Sequence, residues 1–330
     1  MKILWPFEFG LIRFLQNLGS WLTLPMRGFS FLGNVEFYMF AMTALYWWWD
    51  AQLGLRMVLL LLLGGWVNDT LKAVFHMPRP YWVSEEIRLL SSESSFGLPS
   101  GHAQNGVGIW GLLAHAVDKR WAWAAAFALV VLIGLSRLYL GVHFLSDVVV
   151  GWLLGGLVLW AFLRWEKPVS LWLSQRSTRV QILVAFLVSM TMLLLGFLSR
   201  GALQTWEMPR LWRETMLYHT GRVADPLSAD TMLQIAGVFF GFGGGAAWLS
   251  GHRGYKGGGT FRQRVGRYVI GVCGLLLIWY GLGALIPTGE TPLAHLVRYL
   301  QYCLIGAWVS AVVPLLSFHL DQWLPDCLSA

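Results

Sequence analysis

Residues 53–80 read LGLRMVLLLLLGGWVNDTLKAVFHMPRP, an apolar run that ends in a lysine and then an arginine–proline pair. A membrane-spanning helix needs about 20 mostly apolar residues, and this stretch reaches that length. Charged side chains in or beside such a helix are rare unless they pair with another group or have a function. The stretch therefore predicts a membrane helix whose end carries two functional cations, Lys72 and Arg79.

The composition of the whole chain agrees with this prediction. Of 330 residues, 56% are hydrophobic and only 12% are charged, against an ordinary charged fraction of about 25%. The largest basic clusters outside the candidate site lie in loops between apolar runs, which is typical of membrane topology rather than nucleic acid binding. The three cysteines form no disulfide framework and no metal-ligand cluster. We expect an integral membrane protein without a cofactor or a nucleic acid partner.

The apolar runs predict an all-α fold, a polytopic membrane helical bundle of about nine transmembrane helices. The predicted spans are 33–50, 53–75, 102–118, 121–140, 145–164, 180–199, 231–250, 267–287 and 295–318. Four leucines at positions 11, 15, 18 and 22 share one helical face, which predicts an N-terminal amphipathic helix in the membrane interface. The chain thus divides into an interfacial segment 1–32, a six-helix core 33–200 and a three-helix extension 201–330.

Positive charges also predict the orientation of the chain. With the basic loops 165–179 and 251–266 inside the cell, segments 76–101, 137–144 and 200–230 face outward. The first two outward segments carry most of the candidate functional residues. We therefore expect a cell inner membrane protein whose site faces the periplasm or the exterior.

Glycines recur every four residues in two predicted spans, at 151 and 155 and at 237, 241 and 245. Small residues at this spacing allow two helix backbones to approach closely. The pattern predicts packing within the chain, with a homodimer seam as the alternative.

Polar residues at the outer ends of the spans form an ordered set. PSGH at 99–102 opens the third span, and SRLYLGVHFLSD at 136–147 bridges the fourth and fifth. A phosphoryl group carries charge on its non-bridging oxygens, so a site for it needs positioned cations and backbone N–H donors. This set supplies cations, a hydroxyl and a helix start, and it predicts phosphate ester cleavage. The candidate phosphate ligands are Lys72, Arg79, Ser100, Gly101 and Arg137.

Two histidines and a carboxylate divide the catalytic work. His143 and Asp147 are four residues apart, so on a helix they would be neighbours. A carboxylate on one ring nitrogen fixes the tautomer and leaves the other nitrogen free for attack. His143 is therefore the candidate nucleophile and Asp147 its orienting group. His102 remains to protonate the leaving oxygen and then activate water, a scheme that requires no metal.

Other polar residues near this set have a structural interpretation. Asn68 and Asp69 lie close to the lysine and are expected to bond a neighbouring helix, with orientation of Lys72 as the alternative. Glu85, Glu86 and Glu93 suit a solvated outer lid, with a role in substrate entry as the alternative.

The three segments resemble the signature of the type-2 phosphatidic acid phosphatase superfamily, whose members also include vanadium haloperoxidases. The resemblance covers 53–164, about a third of the chain, and every signature position is filled. It implies a phosphohistidine intermediate at His143, acid–base catalysis by His102, and phosphate binding by the five candidate ligands.

A second resemblance bears on the substrate. The stretch from Gly65 to Trp82 and the sequence LSRLYL at 135–140 are similar to glucose-6-phosphatases, which have nine spans and an outward N-terminus. That family typically lacks the carboxylate four residues after the nucleophile, whereas Asp147 is present here as in lipid phosphatases. A lipid phosphate is the expected substrate, and a sugar phosphate is the alternative. Transfer of the phosphoryl group to an alcohol is the alternative reaction.

Overall fold

Helices account for the regular structure of the chain. The structure, a computed structural model, describes residues 4–252, 254–255, 257–286 and 289–323. Outside the described residues lie two basic residues of the 251–266 loop, Arg253 and Lys256, and one of the three cysteines, Cys327. Within those ranges there is no β-strand, so the all-α prediction is confirmed. The helices are α1 (Trp5–Asn17), α2 (Thr23–Phe31), α3 (Val35–Ala44), α4 (Ala51–Phe75), α5 (Pro80–Val83), α6 (Gly101–Val117), α7 (Arg120–Tyr139), α8 (Leu145–Ser174), α9 (Thr178–Gly201), α10 (Arg210–Thr220), α11 (Asp230–His252), α12 (Phe261–Leu276), α13 (Pro292–Ala307) and α14 (Val313–Trp323).

Seven helical stretches among the described residues are long and apolar enough to cross a membrane. They are Ala51–Val83, Arg120–Tyr139, Leu145–Ser174, Thr178–Gly201, Asp230–His252, Phe261–Leu285 and Pro292–Phe318. The chain is thus an integral membrane protein, but the predicted number of nine spans is not confirmed. The other two predicted spans are helical and shorter. The first is α3 with a π-helical continuation, Leu45–Trp49. The second is α6, whose 17 residues extend about 26 Å, against about 30 Å of hydrocarbon.

Local sequence explains where the helices around the site begin and end. After α4 the backbone of His76 turns to a φ of 38°, and its N–H donates to the carbonyl of Lys72 at 2.8 Å. Pro78 then prevents the helix from resuming. Between α7 and α8, Gly141 has a φ of 76°, and a Cβ there would lie 2.7 Å from the carbonyl oxygen of Arg88. Only glycine fits this turn without strain.

The glycines of α8 bring this helix against α6. A Cβ on Gly151 would lie 2.6 Å from the Ser100 carbonyl oxygen, and a Cβ on Gly155 would lie 2.5 Å from that of Gln104. In the same way, a Cβ on Gly237 of α11 would lie 2.7 Å from the carbonyl oxygen of Tyr299 on α13. These glycines pack within the chain, and the homodimer seam stays a prediction.

The described residues group into two compact units. One unit comprises the chain up to Tyr38, Leu63–Leu163 and Gly196–Ser228, and it contains every predicted site residue. The other comprises Met39–Leu62, Arg164–Leu195 and the chain from Ala229 onward. In this second unit the Trp47 indole N–H donates to the carbonyl of Val309 at 2.9 Å. The division into segments 1–32, 33–200 and 201–330 stays a prediction.

The N-terminal helix α1 packs on protein along the face that was predicted to enter the bilayer. Leu11 and Leu15 contact the buried cluster of Ala103, Leu138 and Val148. Gln16 of the same helix is buried and donates to the carbonyls of Arg88 at 2.8 Å and Tyr139 at 2.9 Å. The predicted interfacial amphipathic helix is therefore not confirmed. Exposed apolar side chains of the N-terminal segment include Phe7, Phe14, Leu18, Trp21 and Leu24.

Candidate active site

Two of the predicted cations are held by the loop that precedes α6. Lys72, in the last turn of α4, donates from Nζ to Ser95 Oγ at 2.7 Å. Arg79 is fully buried and donates from Nε to the Ser95 carbonyl at 2.6 Å and from Nη2 to Ser95 Oγ at 3.1 Å. Arg79 Nη2 also donates to the carbonyl of Phe96 at 3.1 Å. Ser95 therefore brings Lys72 and Arg79 to one point.

Arg79 also reaches the candidate nucleophile. Its Nη1 lies 3.2 Å from His143 Nε2 and donates to the carbonyl of Val142 at 3.0 Å. His143 Nδ1 lies 3.2 Å from Asp147 Oδ2, which also accepts the backbone N–H of Phe144 at 2.9 Å. An arginine side chain cannot accept a hydrogen bond, so Nε2 of His143 carries the lone pair. Nδ1 carries the proton and donates a hydrogen bond to Asp147. This is the tautomer that the predicted role of His143 as a nucleophile requires.

The surroundings of His143 favour its neutral form. Burial lowers the pKa of this imidazole well below its usual value, and the charges of Arg79, Arg137 and Lys72 lower it further. A neutral imidazole has the lone pair that a nucleophile needs, and a protonated one does not. The cations that were predicted to bind phosphate thus also favour the neutral form of the candidate nucleophile.

The PSGH turn places a free hydroxyl at the start of α6. Ser100 is fully buried, its backbone N–H donates to the Asp147 carbonyl at 3.0 Å, and its Oγ has no hydrogen-bond partner within the described residues. Asn68 holds the turn by donating to the carbonyl of Pro99 at 3.3 Å. A Cβ on Gly101 would lie 3.2 Å from Asn68 Oδ1, so glycine admits this close contact. The first N–H groups of a helix are unpaired and attract anions.

Arg137, the third cation, is also buried. Its Nη1 donates to Ser30 Oγ at 2.5 Å, and its Nη2 forms an ion pair with Glu93 Oε1. Arg137 Nε has no partner within the described part of the chain. Glu93 was predicted to lie in a solvated lid, but its side chain is 29% exposed and turned onto Arg137. The interpretation as a solvated carboxylate is wrong for Glu93, because the buried guanidinium needs a counter-charge.

His102 lies beside a cavity of about 580 Å³. Its Nε2 lies 2.5 Å from Asn34 Oδ1, a side chain of the link between α2 and α3. His102, Arg137 and Glu93 line the cavity together with Ser30 and Asn34. His143 is not among the lining residues, so the cavity approaches the site from the His102 side.

The structure thus places the predicted set in one region, joined by contacts through the loop before α6. Sequence reasoning missed Ser30, Asn34 and Ser95. Of these three residues, only Ser95 belongs to a sequence feature that could have indicated a role, because it ends the polar run SSESS at 91–95. Asp69 has the structural role that was preferred, since both carboxylate oxygens accept from Arg200 Nη2, at 3.0 and 2.9 Å. Among the described residues, no group of three or more His, Cys, Asp or Glu side chains could hold a metal ion.

Comparisons with known proteins match this chain in two regions. The PAP2 superfamily matches residues 53–171, and the transmembrane extension of PAP2 superfamily phosphatases matches residues 233–322. Phosphatidylglycerophosphatase B of Bacillus subtilis is 30% identical over 163 residues, which cover 46% of this chain and 78% of that protein.

Two other relatives are matched over a smaller share of their length. Lipid phosphate phosphatase delta of Arabidopsis thaliana is 30% identical over 40% of this chain and 35% of its own. Glucose-6-phosphatase catalytic subunit 1 of Haplochromis nubilus is 29% identical over 48% of this chain and 53% of its own. Among solved structures, a transmembrane PAP2 type phosphatidylglycerolphosphate phosphatase from Bacillus subtilis matches 51% of this chain and 89% of its own, with 25% identity and a TM-score of 0.46.

Proposed function

The chain belongs to the PAP2 superfamily, and on that premise we propose that it hydrolyses a lipid phosphate or diphosphate through a phosphohistidine at His143. The proposal includes an outward-facing site in a cell inner membrane and a reaction without a metal. One observation carries it. His143 Nε2 lies 3.2 Å from Arg79 while Nδ1 lies against Asp147, so a phosphate bound by Arg79 would meet an oriented nucleophile.

The reaction has two steps. In the first, His143 Nε2 forms a bond to phosphorus, the bond to the leaving oxygen breaks, and His102 gives that oxygen a proton. In the second, His102 takes a proton from water, the water oxygen bonds to phosphorus, and the bond to Nε2 breaks. Inorganic phosphate leaves and His102 is again protonated.

The phosphate ligands stabilise the charge that develops on the non-bridging oxygens. Arg79 and Lys72 already meet at Ser95, and a phosphate oxygen can replace Ser95 Oγ as their acceptor. Ser100 Oγ and Arg137 Nε are buried without a partner in the described ranges. Buried donors of this kind are costly unless a ligand satisfies them, which supports an oxyanion site here.

Contacts at the site support a crossing of the membrane by α6, despite its length. α6 starts at Gly101 in the site, and α7 returns to the site because it ends at Tyr139, two residues after Arg137. The 20 residues of α7 are sufficient to cross, so α6 must cover the same depth in the opposite direction. We add α6 and Val35–Trp49 to the seven candidate spans and propose nine, with the exposed side chains Phe7, Phe14 and Trp21 of the N-terminal segment in lipid.

A lipid is the favoured substrate because the catalytic groups lie at the ends of the candidate spans α4, α7 and α8. Asp147 and two of the matched relatives, phosphatidylglycerophosphatase B and lipid phosphate phosphatase delta, support the same choice. A soluble sugar phosphate is the second candidate, supported by the similarity to a glucose-6-phosphatase.

Phosphate release decides between the two substrates. The purified protein in detergent with a metal chelator is incubated with phosphatidylglycerophosphate, phosphatidate, undecaprenyl diphosphate or glucose 6-phosphate. We expect free phosphate from one or more of the lipids. Release from glucose 6-phosphate alone overturns the lipid assignment, and transfer to an added alcohol without release of phosphate identifies a transferase.

A further inference from the structure

His102 is held by a side chain from outside the three signature segments. Its Nε2 lies 2.5 Å from Asn34 Oδ1. Asn34 belongs to the three-residue link Leu32–Asn34 between α2 and α3. The match to the PAP2 superfamily begins only at residue 53, so Asn34 lies outside the matched phosphatase segment that carries His102.

The backbone of this link is well ordered by its own hydrogen bonds. The N–H of Gly33 donates to the carbonyl of Ser30 at 2.9 Å, and the N–H of Asn34 donates to that of Phe31 at 3.0 Å. The carbonyl of Asn34 accepts from Tyr38 at 3.2 Å. Asn34 is therefore presented from a closed turn between two helices, which gives its side chain a defined direction.

Two further contacts join the same segment to the site. A Cβ on Gly33 would lie 3.0 Å from His102 Cδ2, so the link lies directly against the imidazole ring. Ser30 Oγ accepts from Arg137 Nη1 at 2.5 Å. Ser30 and Asn34 also line the cavity of about 580 Å³ beside His102.

We infer that Asn34 is a positioning residue for His102, and that the link between α2 and α3 is part of the active site. The inference rests on the proposed function, because it assigns His102 to proton transfer. Asn34 Oδ1 can accept the Nε2–H of His102 in both the neutral and the protonated ring. It therefore holds the ring throughout the reaction and leaves Nδ1 as the nitrogen that exchanges its proton.

A neutral amide suits this position because charges already surround the ring. Arg137 of α7, Lys72 of α4, Arg79 and the carboxylate of Glu93 act on His102 electrostatically. Two charged residues that precede the matched phosphatase segment, Arg27 and Glu36, also line the cavity beside His102. A carboxylate in place of the Asn34 amide would favour the protonated ring, and the reaction needs both protonation states.

Steady-state kinetics test the inference on the purified full chain. Because a general acid–base group contributes about 10²–10⁴-fold to the rate, we expect Asn34→Ala to lower kcat at least tenfold with less than a threefold change in KM. In Asn34→Asp, which has nearly the same shape, the pH optimum of kcat moves to higher pH. Asn17→Ala, an exposed asparagine at the end of α1, retains the wild-type kcat and profile. A wild-type kcat and pH profile in both Asn34 variants overturns the inference.

A second measurement does not depend on turnover. In ¹⁵N-histidine spectra of the protein in detergent, the His102 signals are assigned by their loss in His102→Gln. We expect one dominant tautomer with the proton on Nε2 in the wild type, and a mixture in Asn34→Ala. Identical His102 signals in both overturn the inference even if the wild type is active. A wild type that cleaves no substrate overturns the proposed function alone, and the tautomer comparison still decides the role of Asn34.

Discussion

At the scale of single residues, the candidate site is a set of buried polar and charged groups, most of which are paired with one another. Arg79 is fully buried, and its guanidinium donates hydrogen bonds to Ser95, Phe96, Val142 and His143. A guanidinium presents its donors in a fixed plane, so it orients both the loop and the ring. The direction of each hydrogen bond then fixes which nitrogen of His143 carries the lone pair.

The first prediction concerns His143. His143→Ala removes the nucleophile, and we expect phosphate release to fall about 10³-fold or more, as loss of a nucleophile does in covalent catalysis. Acid-quenched reactions with a ³²P-labelled lipid should show labelled protein for the wild type and none for the variant. His115→Ala, an exposed histidine near the other end of α6, should keep full activity. Undiminished release by His143→Ala contradicts the mechanism.

Glu93 gives a prediction about pH and stability. Burial by itself raises the pKa of this carboxyl, but Arg137 and Arg79 hold it well below its usual value of 4.5. Folding therefore favours the charged form, and the resulting stabilisation is present above the usual pKa and lost as pH falls through the lower folded pKa.

We expect Glu93→Gln to lower the thermal unfolding midpoint at pH 7 and by the same amount at pH 5.5, with the difference shrinking only below about pH 4.5. Thermal unfolding in detergent across this pH range measures it. Glu85→Gln, an exposed carboxylate of the same loop, is the control and should change little. A difference from wild type that shrinks between pH 7 and 5.5 contradicts the prediction.

At the scale of elements, the site depends on how closely two helices approach. Gly151 of α8 lies against the Ser100 carbonyl, at the start of α6. The N–H of Ser100 in turn donates to the carbonyl of Asp147, in the first turn of α8. The separation of α6 and α8 therefore determines the position of the PSGH turn relative to His143 and Asp147.

The matched pair Gly151→Ala and Gly156→Ala tests this dependence. A Cβ on Gly151 would meet backbone at 2.6 Å, whereas a Cβ on Gly156 has nothing within 4 Å. We expect Gly151→Ala to destabilise the protein by about 1–3 kcal/mol through overpacking and to lower kcat, measured by thermal unfolding and phosphate release. Gly156→Ala should be neutral or slightly stabilising, because alanine favours the helix. Equal behaviour of the two variants argues against a close helix contact at the site.

At the scale of the whole molecule, the number of times the chain crosses the membrane determines which side of the membrane the candidate site faces. α6 is too short to be recognised as a span by its length, yet its start and the end of α7 both lie in the site. If α6 crosses, three crossings separate Ser92 from Ser177, and these two positions lie on opposite sides. If it does not, they lie on the same side.

Single cysteines at these two exposed serines test the topology after the native cysteines are replaced. In intact cells, we expect a membrane-impermeant maleimide to label Ser92→Cys and to label Ser177→Cys only after the membrane is permeabilised. Labelling of both from outside excludes a crossing by α6. The reversed pattern keeps the nine spans and contradicts the outward orientation.

Much of the fold class and of the candidate site could be predicted from local sequence. Apolar runs such as 53–75 and 180–199 specify membrane helices because their side chains cannot be solvated by water, whatever they pack against. Residues such as Lys72 and His143 could be recognised because charged and titratable groups are costly at the edge of an apolar segment. The sequence alone therefore determined a helical membrane protein, and it predicted a phosphate site in the segments that are expected to face outward.

Only the tertiary structure decided which residues support that site. Asn34, Ser30 and Ser95 are ordinary polar residues whose role comes from contacts across 16 to 107 positions of the chain. The structure also reversed the interpretation of Glu93, and it places Leu11 and Leu15 of helix α1 against protein side chains. Local patterns report the burial of a side chain, but they do not distinguish lipid from protein as what buries it. The partners of a buried charge depend on which segments the packed helices bring together.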